Sequence, residues 1–373
     1  MKSLFKSCLL MAFMVGLSVC NANEKKETPS KQYIKVALLL DTSNSMDGLI
    51  DQAKAQLWGI INELSYAQCN NVRPNLQIAI YEYGNDGLNS REGFIRQVLS
   101  FTNDLDDISK ELFSLTTNGG NEFCGQVIQT SLNQLDWGNN PDDLKLIFIA
   151  GNEPFTQGKV NYKDAATNAN EKDVTINSIF CGDYGQGVAT FWKDGAALTN
   201  GDYLSIDHNQ TTVHVASPYD EDILILNSKL NKTYISYGSS GRAKMALQAE
   251  QDSEAKTYSN ANAVGRTISK SSYLYKNSTW DLVDAIEMEE VIIEDLKVEE
   301  LPKELKGKSP KEIKSFVMKK SVERENIQNQ IQALNIKRKQ YITQQQDKGS
   351  NALENAMIKA IKTQAKKKNY IWN

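Results

Sequence analysis

Several residue types are scarce in this chain of 373 residues, and each shortage removes a class of function. There are two histidines, His208 and His214, and they do not stand at the spacing of a zinc site. His214 alternates within Thr212-Val213-His214-Val215 and reads as structural. No Walker-type or dinucleotide glycine loop occurs, and no nucleophile-elbow pattern. The stretch Gly182-Asp183-Tyr184-Gly185-Gln186-Gly187 is glycine-rich but reads as a connecting loop rather than a phosphate cradle. Charge of one sign is also missing: 42 basic residues face 46 acidic ones, for a net charge of −4. A nucleic-acid footprint would need a basic excess, so no nucleic-acid partner is expected. The run Lys366-Lys367-Lys368 reads as a solvated terminal face. Beyond Val19 no apolar run is long enough for a transmembrane helix. What remains is an ordinary globular composition, 40% hydrophobic and 24% charged with 7 prolines, in a chain long enough for one large core and an accessory region.

Of the five cysteines, two lie in the first twenty residues, which have the form of an export signal. Lys2 and Lys6 supply positive charge, and Leu9 to Val19 is an apolar stretch too short to span a bilayer. Residues 1–22 are therefore expected to be a signal peptide, with two routes of processing. Leu17-Ser18-Val19-Cys20 resembles a lipoprotein box, with Val19 in place of the usual small residue, and would lead to lipidation of Cys20. Cleavage after Ala22 would instead release a soluble periplasmic or secreted protein, the reading preferred here. Lipidation of Cys20 would be its sole attachment to a membrane. Cys69, Cys124 and Cys181 remain afterwards, too few for a disulfide framework.

Residues 23–32 are polar and read as a tether. Tyr33 to Leu40 is a run of strand length whose two faces are both apolar, as a central parallel strand requires. Residues 47–65 follow with Leu49, Ala53, Leu57, Ile60, Ile61 and Leu64 at helical steps. Strands are expected at Leu76–Tyr83, Phe94–Phe101, Leu144–Ala150, Thr175–Phe180 and Tyr203–Ile206, and helices at 104–115, 123–135, 159–171 and within 185–202. This alternation implies an α/β fold over residues 33–215: a doubly wound, mostly parallel sheet with helices on both faces, and the Phe94 strand as an antiparallel edge. In such sheets ligands bind beyond the carboxyl ends of the strands, where the loops at Asp41, Asn118, Gly151 and Cys181 gather. Residues 216–286 read as a helical extension and 287–309 as an acidic, then Lys/Pro-rich linker. Residues 310–373 read as a C-terminal helical hairpin or coiled coil. Ser309-Pro310-Lys311-Glu312 is the helix start, and Ile327, Ile331, Leu334 and Tyr341 form a seam interrupted at Arg338. Those helices could also join two copies into a homo-oligomer.

The chemistry concentrates in Asp41-Thr42-Ser43-Asn44-Ser45, directly after a buried strand and before a helix. That spacing presents one carboxylate and two hydroxyls on one side of a turn, a set of oxygen ligands that suits Mg²⁺ or Ca²⁺. The bland alternative makes Asp41 a strand end and the serines turn and cap formers. In this pattern the chain, over roughly residues 33–210, resembles the von Willebrand factor A (VWA) family, and overall it is similar to exported bacterial proteins carrying such a domain. The resemblance implies a Rossmann-like fold and a metal-ion-dependent adhesion site whose first three positions are Asp41, Ser43 and Ser45. It also implies that an acidic side chain from a partner protein completes the ion. Two loops depart from the family pattern. Gly119-Gly120-Asn121-Glu122 lacks the threonine expected after the glycine pair, and Gly151-Asn152-Glu153 lacks the expected aspartate. Glu122 and Glu153 are the candidates to restore a carboxylate. Cys124 and Cys181 belong at the same end of the sheet, and a disulfide between them is expected beside the metal position. The function expected is an exported binding module or scaffold gripping a protein of the cell envelope. The alternative is a metal-assisted hydrolase with Glu122 or Glu153 as base.

Overall fold

Nine consecutive residues, Tyr33–Asp41, form strand β1 at the centre of a six-stranded sheet, and all but the first are buried. The computed structural model describes residues 31–209, 214–345 and 352–372. The expected signal peptide, Cys20 and all but the end of the tether lie outside them. Helix α1 (Asp47–Leu64) follows β1, then the short strand β2 (Ala67–Cys69), strand β3 (Asn75–Tyr83) and strand β4 (Ile95–Thr102). Next come α2 (Leu105–Phe113), α3 (Cys124–Gln134), β5 (Leu144–Gly151), α4 (Tyr162–Glu171) and β6 (Thr175–Cys181). Two short helices, α5 (Tyr184–Ala189) and α6 (Trp192–Ala197), lead to β7 (Tyr203–Ile206).

The strand order is β4-β3-β1-β5-β6-β7, parallel throughout except for β4, which runs antiparallel to β3 at the edge. Alternate residues of the central strands serve two cores, as strand geometry dictates. Val36, Leu38 and Leu40 pack with α1 and α2 on one face, while Ala37 and Leu39 pack with α3, α4 and Trp192 on the other. This is a doubly wound α/β sheet whose loops meet at the carboxyl ends of β1, β3, β5 and β6.

Helices α7 (Asp220–Leu230), α8 (Gly241–Tyr258), α9 (Asn260–Lys270) and α10 (Leu282–Glu287) come next, followed by α11 (Pro310–Gln345), α12 (Ala352–Lys366) and strand β8 (Tyr370–Trp372). They continue the core on the α1 face: Ile223, Val264, Ile331, Leu353 and Ile361 belong to the same buried cluster as Leu38 and Leu57. Gln32–Asn373 forms one compact unit. Residues 287–309 differ from a solvated linker. Ile293, Leu301 and Leu305 are buried there with Ile235, Leu282, Ile313 and Val317, because apolar residues spaced among the charges reach a shared pocket. Helix α11 starts as its sequence indicates, the Ser309 N–H and Oγ donating to Glu312 Oε2 at 2.8 and 2.6 Å.

Helices α11 and α12 depart from a hairpin or a coil. Ile327 and Ile331 of the seam face α7 and α9, and Arg338 breaks it because its Nε pairs with Asp220 at 2.8 Å. Helix α12 lies instead along α1 and over β5 and β7, and β8 pairs antiparallel with β2. The last residues of the chain thus cover the sheet begun by the first strand. Among the described residues no helix is long and apolar enough to cross a membrane.

Candidate metal centre at the rim of the sheet

Asp41 ends β1 between Tyr83 of β3 and the end of β5, and its side chain is fully buried. Its Oδ1 accepts the Ser43 N–H at 2.8 Å, an Asx turn that reverses the chain and brings Ser43 Oγ within 3.3 Å of Ser45 Oγ. The other oxygen, Oδ2, is buried without a protein partner. Two glycines make room for this carboxyl. A Cβ at Gly151 would lie 3.1 Å from Asp41 Oδ2 and 2.6 Å from the Tyr83 hydroxyl. At Gly84, whose φ of +80° already favours glycine, a Cβ would lie 2.8 Å from Asp41 Oδ1.

Glu122 reaches the same place from the loop before α3. It is 4% exposed, its N–H donates to Gln157 Oε1 at 2.9 Å, and its Oε2 also has no partner. The two carboxyls stand close enough to share a proton. Burial pushes the Asp41 carboxyl well above the usual range, and the neighbouring Glu122 pushes it further. Burial raises Glu122 as well. Two adjacent buried acids without a cation cannot both ionise cheaply.

Of the sequence candidates, Asp41, Ser43, Ser45 and Glu122 come together, while the Glu153 side chain is exposed. Glu153 instead accepts the Trp192 indole N–H on its carbonyl at 2.8 Å. Its place beside Ser45 is taken by Asn152, which sequence reasoning passed over for the charged neighbour. Asn152 Nδ2 donates to Ser45 Oγ at 3.1 Å, and its Oδ1 is buried without a partner. The available signal was position, since Asn152 directly follows the strand-ending glycine. Beneath the site the Tyr83 hydroxyl donates to the Ala150 carbonyl at 2.9 Å and props the third loop.

Among the described residues no three His, Cys, Asp or Glu side chains cluster for a metal. The rim set is of another kind: two carboxylates, two hydroxyls and an amide oxygen, with three of its oxygens unpartnered. Those hard ligands fit Mg²⁺ or Ca²⁺, whose charge would offset the crowded acids.

The expected Cys124–Cys181 disulfide is not formed. Both thiols are free and buried, as is Cys69. The two cysteines do belong to one end of the sheet but to opposite faces, Cys124 in the α3 core and Cys181 in the α1 core, so the sheet stands between them.

Residues 35–188 match the profile of the von Willebrand factor type A domain. This segment is a VWA domain. The chain is also similar over about half its length to several solved structures. Conserved hypothetical protein BatB from Bacteroides thetaiotaomicron is 16% identical, with a TM-score of 0.36 over 47% of this chain and 90% of that one. Proximal thread matrix protein 1 of the mussel byssus, described with a zinc occupied MIDAS motif, is 11% identical, with a TM-score of 0.37 over 48% and 43%. The SpRpn10 VWA domain is 17% identical, with a TM-score of 0.35 over 46% and 87%. Among curated proteins none matches the chain.

Proposed function

We propose that this protein is an exported protein-binding module whose VWA domain holds Mg²⁺ or Ca²⁺ at its rim through Asp41, Ser43, Ser45, Glu122 and Asn152. The observation that carries this reading is the pair of buried, adjacent carboxyls with an unpartnered oxygen on each, Asp41 Oδ2 and Glu122 Oε2. A bound divalent ion supplies positive charge that an acidic side chain of a partner protein can meet. The chain's own residues prepare the place: the Ser43 N–H orients Asp41, Asn152 and the serines line the opening, and Gly84 and Gly151 keep it clear. The partner belongs to the cell envelope, reached through the N-terminal export signal, either as a soluble periplasmic form or anchored through Cys20. A zinc occupied site in the mussel protein makes Zn²⁺ a useful third ion to compare.

Titration calorimetry of the full chain tests the site. Saturable heat with Mg²⁺ or Ca²⁺, absent in Asp41→Ala, is expected, and no heat with either ion in the wild type would overturn it. Partner recovery from envelope extracts should then require both the ion and Asp41, so chelator and Asp41→Ala must each abolish it.

A further inference from the structure

The loops at the rim carry more acid than the metal set uses. Asp47 opens α1 directly after the Asp41 loop, Asp86 follows β3, and Glu153 follows Asn152, and all three are exposed. The fold holds them around one opening. The Thr117 hydroxyl donates to Asp47 Oδ1, and the Asp86 N–H donates to the Gly119 carbonyl. A Cβ on Gly119 would lie 3.6 Å from both Asn44 Nδ2 and Asp86 Oδ2, so Asp86 and the Asp41 loop flank the same glycine. Glu153 is carried by the third loop, fixed through its carbonyl by Trp192. Within this ring Asp41 Oδ2 and Glu122 Oε2 are buried without a partner.

No lysine or arginine among the described residues pairs with any of the three, whereas Glu82, Asp104 and Asp107 elsewhere on the domain each hold one. The sheet's own lysines, Lys35 of β1 and Lys145 of β5, stand at the amino ends of their strands, away from the rim. A divalent ion at the centre is offset by Asp41 and Glu122, so the exposed ring sets the field outside the opening. Repulsion then works against a partner carboxylate that arrives among other acids, and favours one that arrives between cations. An apolar partner face would strip water from the three carboxylates with nothing in return.

We propose that the rim recognises a basic protein segment bearing one acidic side chain, its carboxylate meeting the ion and its flanking lysines or arginines meeting Asp47, Asp86 and Glu153. The proposal rests on the metal reading above. The probes are three capped peptides: Lys-Lys-Gly-Glu-Gly-Lys-Lys, the same peptide with glutamine for glutamate, and Ser-Ser-Gly-Glu-Gly-Ser-Ser. Each is titrated by calorimetry into the full chain saturated with Mg²⁺ or Ca²⁺. The lysine-flanked glutamate peptide should bind about tenfold tighter than either of the others in about 50 mM salt, and its lead over the serine peptide should shrink in about 500 mM salt. The double variant Asp86→Asn with Glu153→Gln should lose that lead yet keep the wild-type heat of ion binding, because both side chains stand outside the ion's ligands. Equal binding of the lysine and serine peptides, a glutamine peptide as tight as the glutamate one, an unchanged lead in the double variant, or no peptide binding would overturn the proposal. Ion heat without peptide discrimination removes this proposal alone, whereas no ion heat in the wild type removes the metal reading and this proposal with it.

Discussion

Asp41 and Glu122 at the sheet rim and Asp106, Asp252, Asp281 and Asp284, within the helical half or packed against it, are all carboxylates withdrawn from solvent, yet only the second group meets cations. Arg266 of α9, 1% exposed, binds Asp106 of α2 and Asp252 of α8, each at 2.7 Å, and Lys270 adds a contact to Asp252 at 2.8 Å. Tyr275 donates to the second Asp106 oxygen at 2.7 Å. Arg324 of α11 likewise reaches Asp281 at 2.7 Å and Asp284 at 3.0 Å, and closes its fork on the Thr233 carbonyl. These networks fasten elements far apart in sequence, and Arg266 ties the helical half to the VWA domain through α2. The rim pair has hydrogen bonds to its own loops but no cation among its partners. A buried pair of acids with unpartnered oxygens costs stability, which is why it reads as a binding device rather than a structural one.

Variants that remove one partner should separate the two regions, beginning with the most severe. Arg266→Met leaves Asp106 and Asp252 buried without their guanidinium, and should cost about 3–5 kcal/mol in chemical denaturation. A loss below about 1 kcal/mol would break the distinction, because the network would then not be holding the fold. Glu122→Gln at the rim should act in the opposite sense. It relieves the carboxyl crowding, stabilises the ion-free protein by about 1–2 kcal/mol, and erases the rise in melting temperature that Mg²⁺ or Ca²⁺ gives the wild type.

Acid titration sharpens the contrast further. Burial works against the Asp252 carboxylate, but Lys270 and Arg266 outweigh it and hold this group well below the usual range. A carboxyl depressed in the folded state binds fewer protons than it does unfolded. Its contribution is therefore complete above the unfolded value and is lost as pH falls through the carboxylate range toward the folded one. Asp252→Asn should flatten that acid limb in pH-dependent melting, whereas Glu122→Gln should leave this component in place. The mildest case is the half-exposed pair of Lys244 with Asp104 and Asp107, at 2.8 and 2.6 Å. Lys244→Ala should change stability by about 1 kcal/mol or less, since solvent already screens those charges.

The sheet was legible because its signal is local. Apolar runs such as Tyr33 to Leu40 and Leu144 to Ala150 can satisfy two buried faces only as central parallel strands, and Phe94 to Phe101 became the antiparallel edge it resembled. The Asp41 loop was legible for the same reason, since an Asx turn is written within three residues. Glu122 followed from its place after Gly119-Gly120. Asn152 did not, because charge drew attention to Glu153, and which side chain turns inward depends on the loop's course over Tyr83. The disulfide expectation failed on a related point. Sequence placed Cys124 and Cys181 at one end of the sheet, but the face each serves is settled only when helices pack on both sides.

The sequence by itself thus determined the six strands of the large sheet, the rim and the Asp41 loop, all of which follow from periodicity and spacing over short stretches. Only the tertiary structure decided what the rest of the chain does with its polar residues. Arg266 meeting Asp106, Arg338 breaking the α11 seam to bind Asp220, and β8 returning to β2 each join residues more than a hundred positions apart. No local pattern encodes those meetings, because a charge is indifferent to its partner's sequence position until packing has withdrawn both from water. The carboxyl pair that opened the question of function belongs to both accounts: Asp41 was set by its loop, and its crowding against Glu122 by the fold.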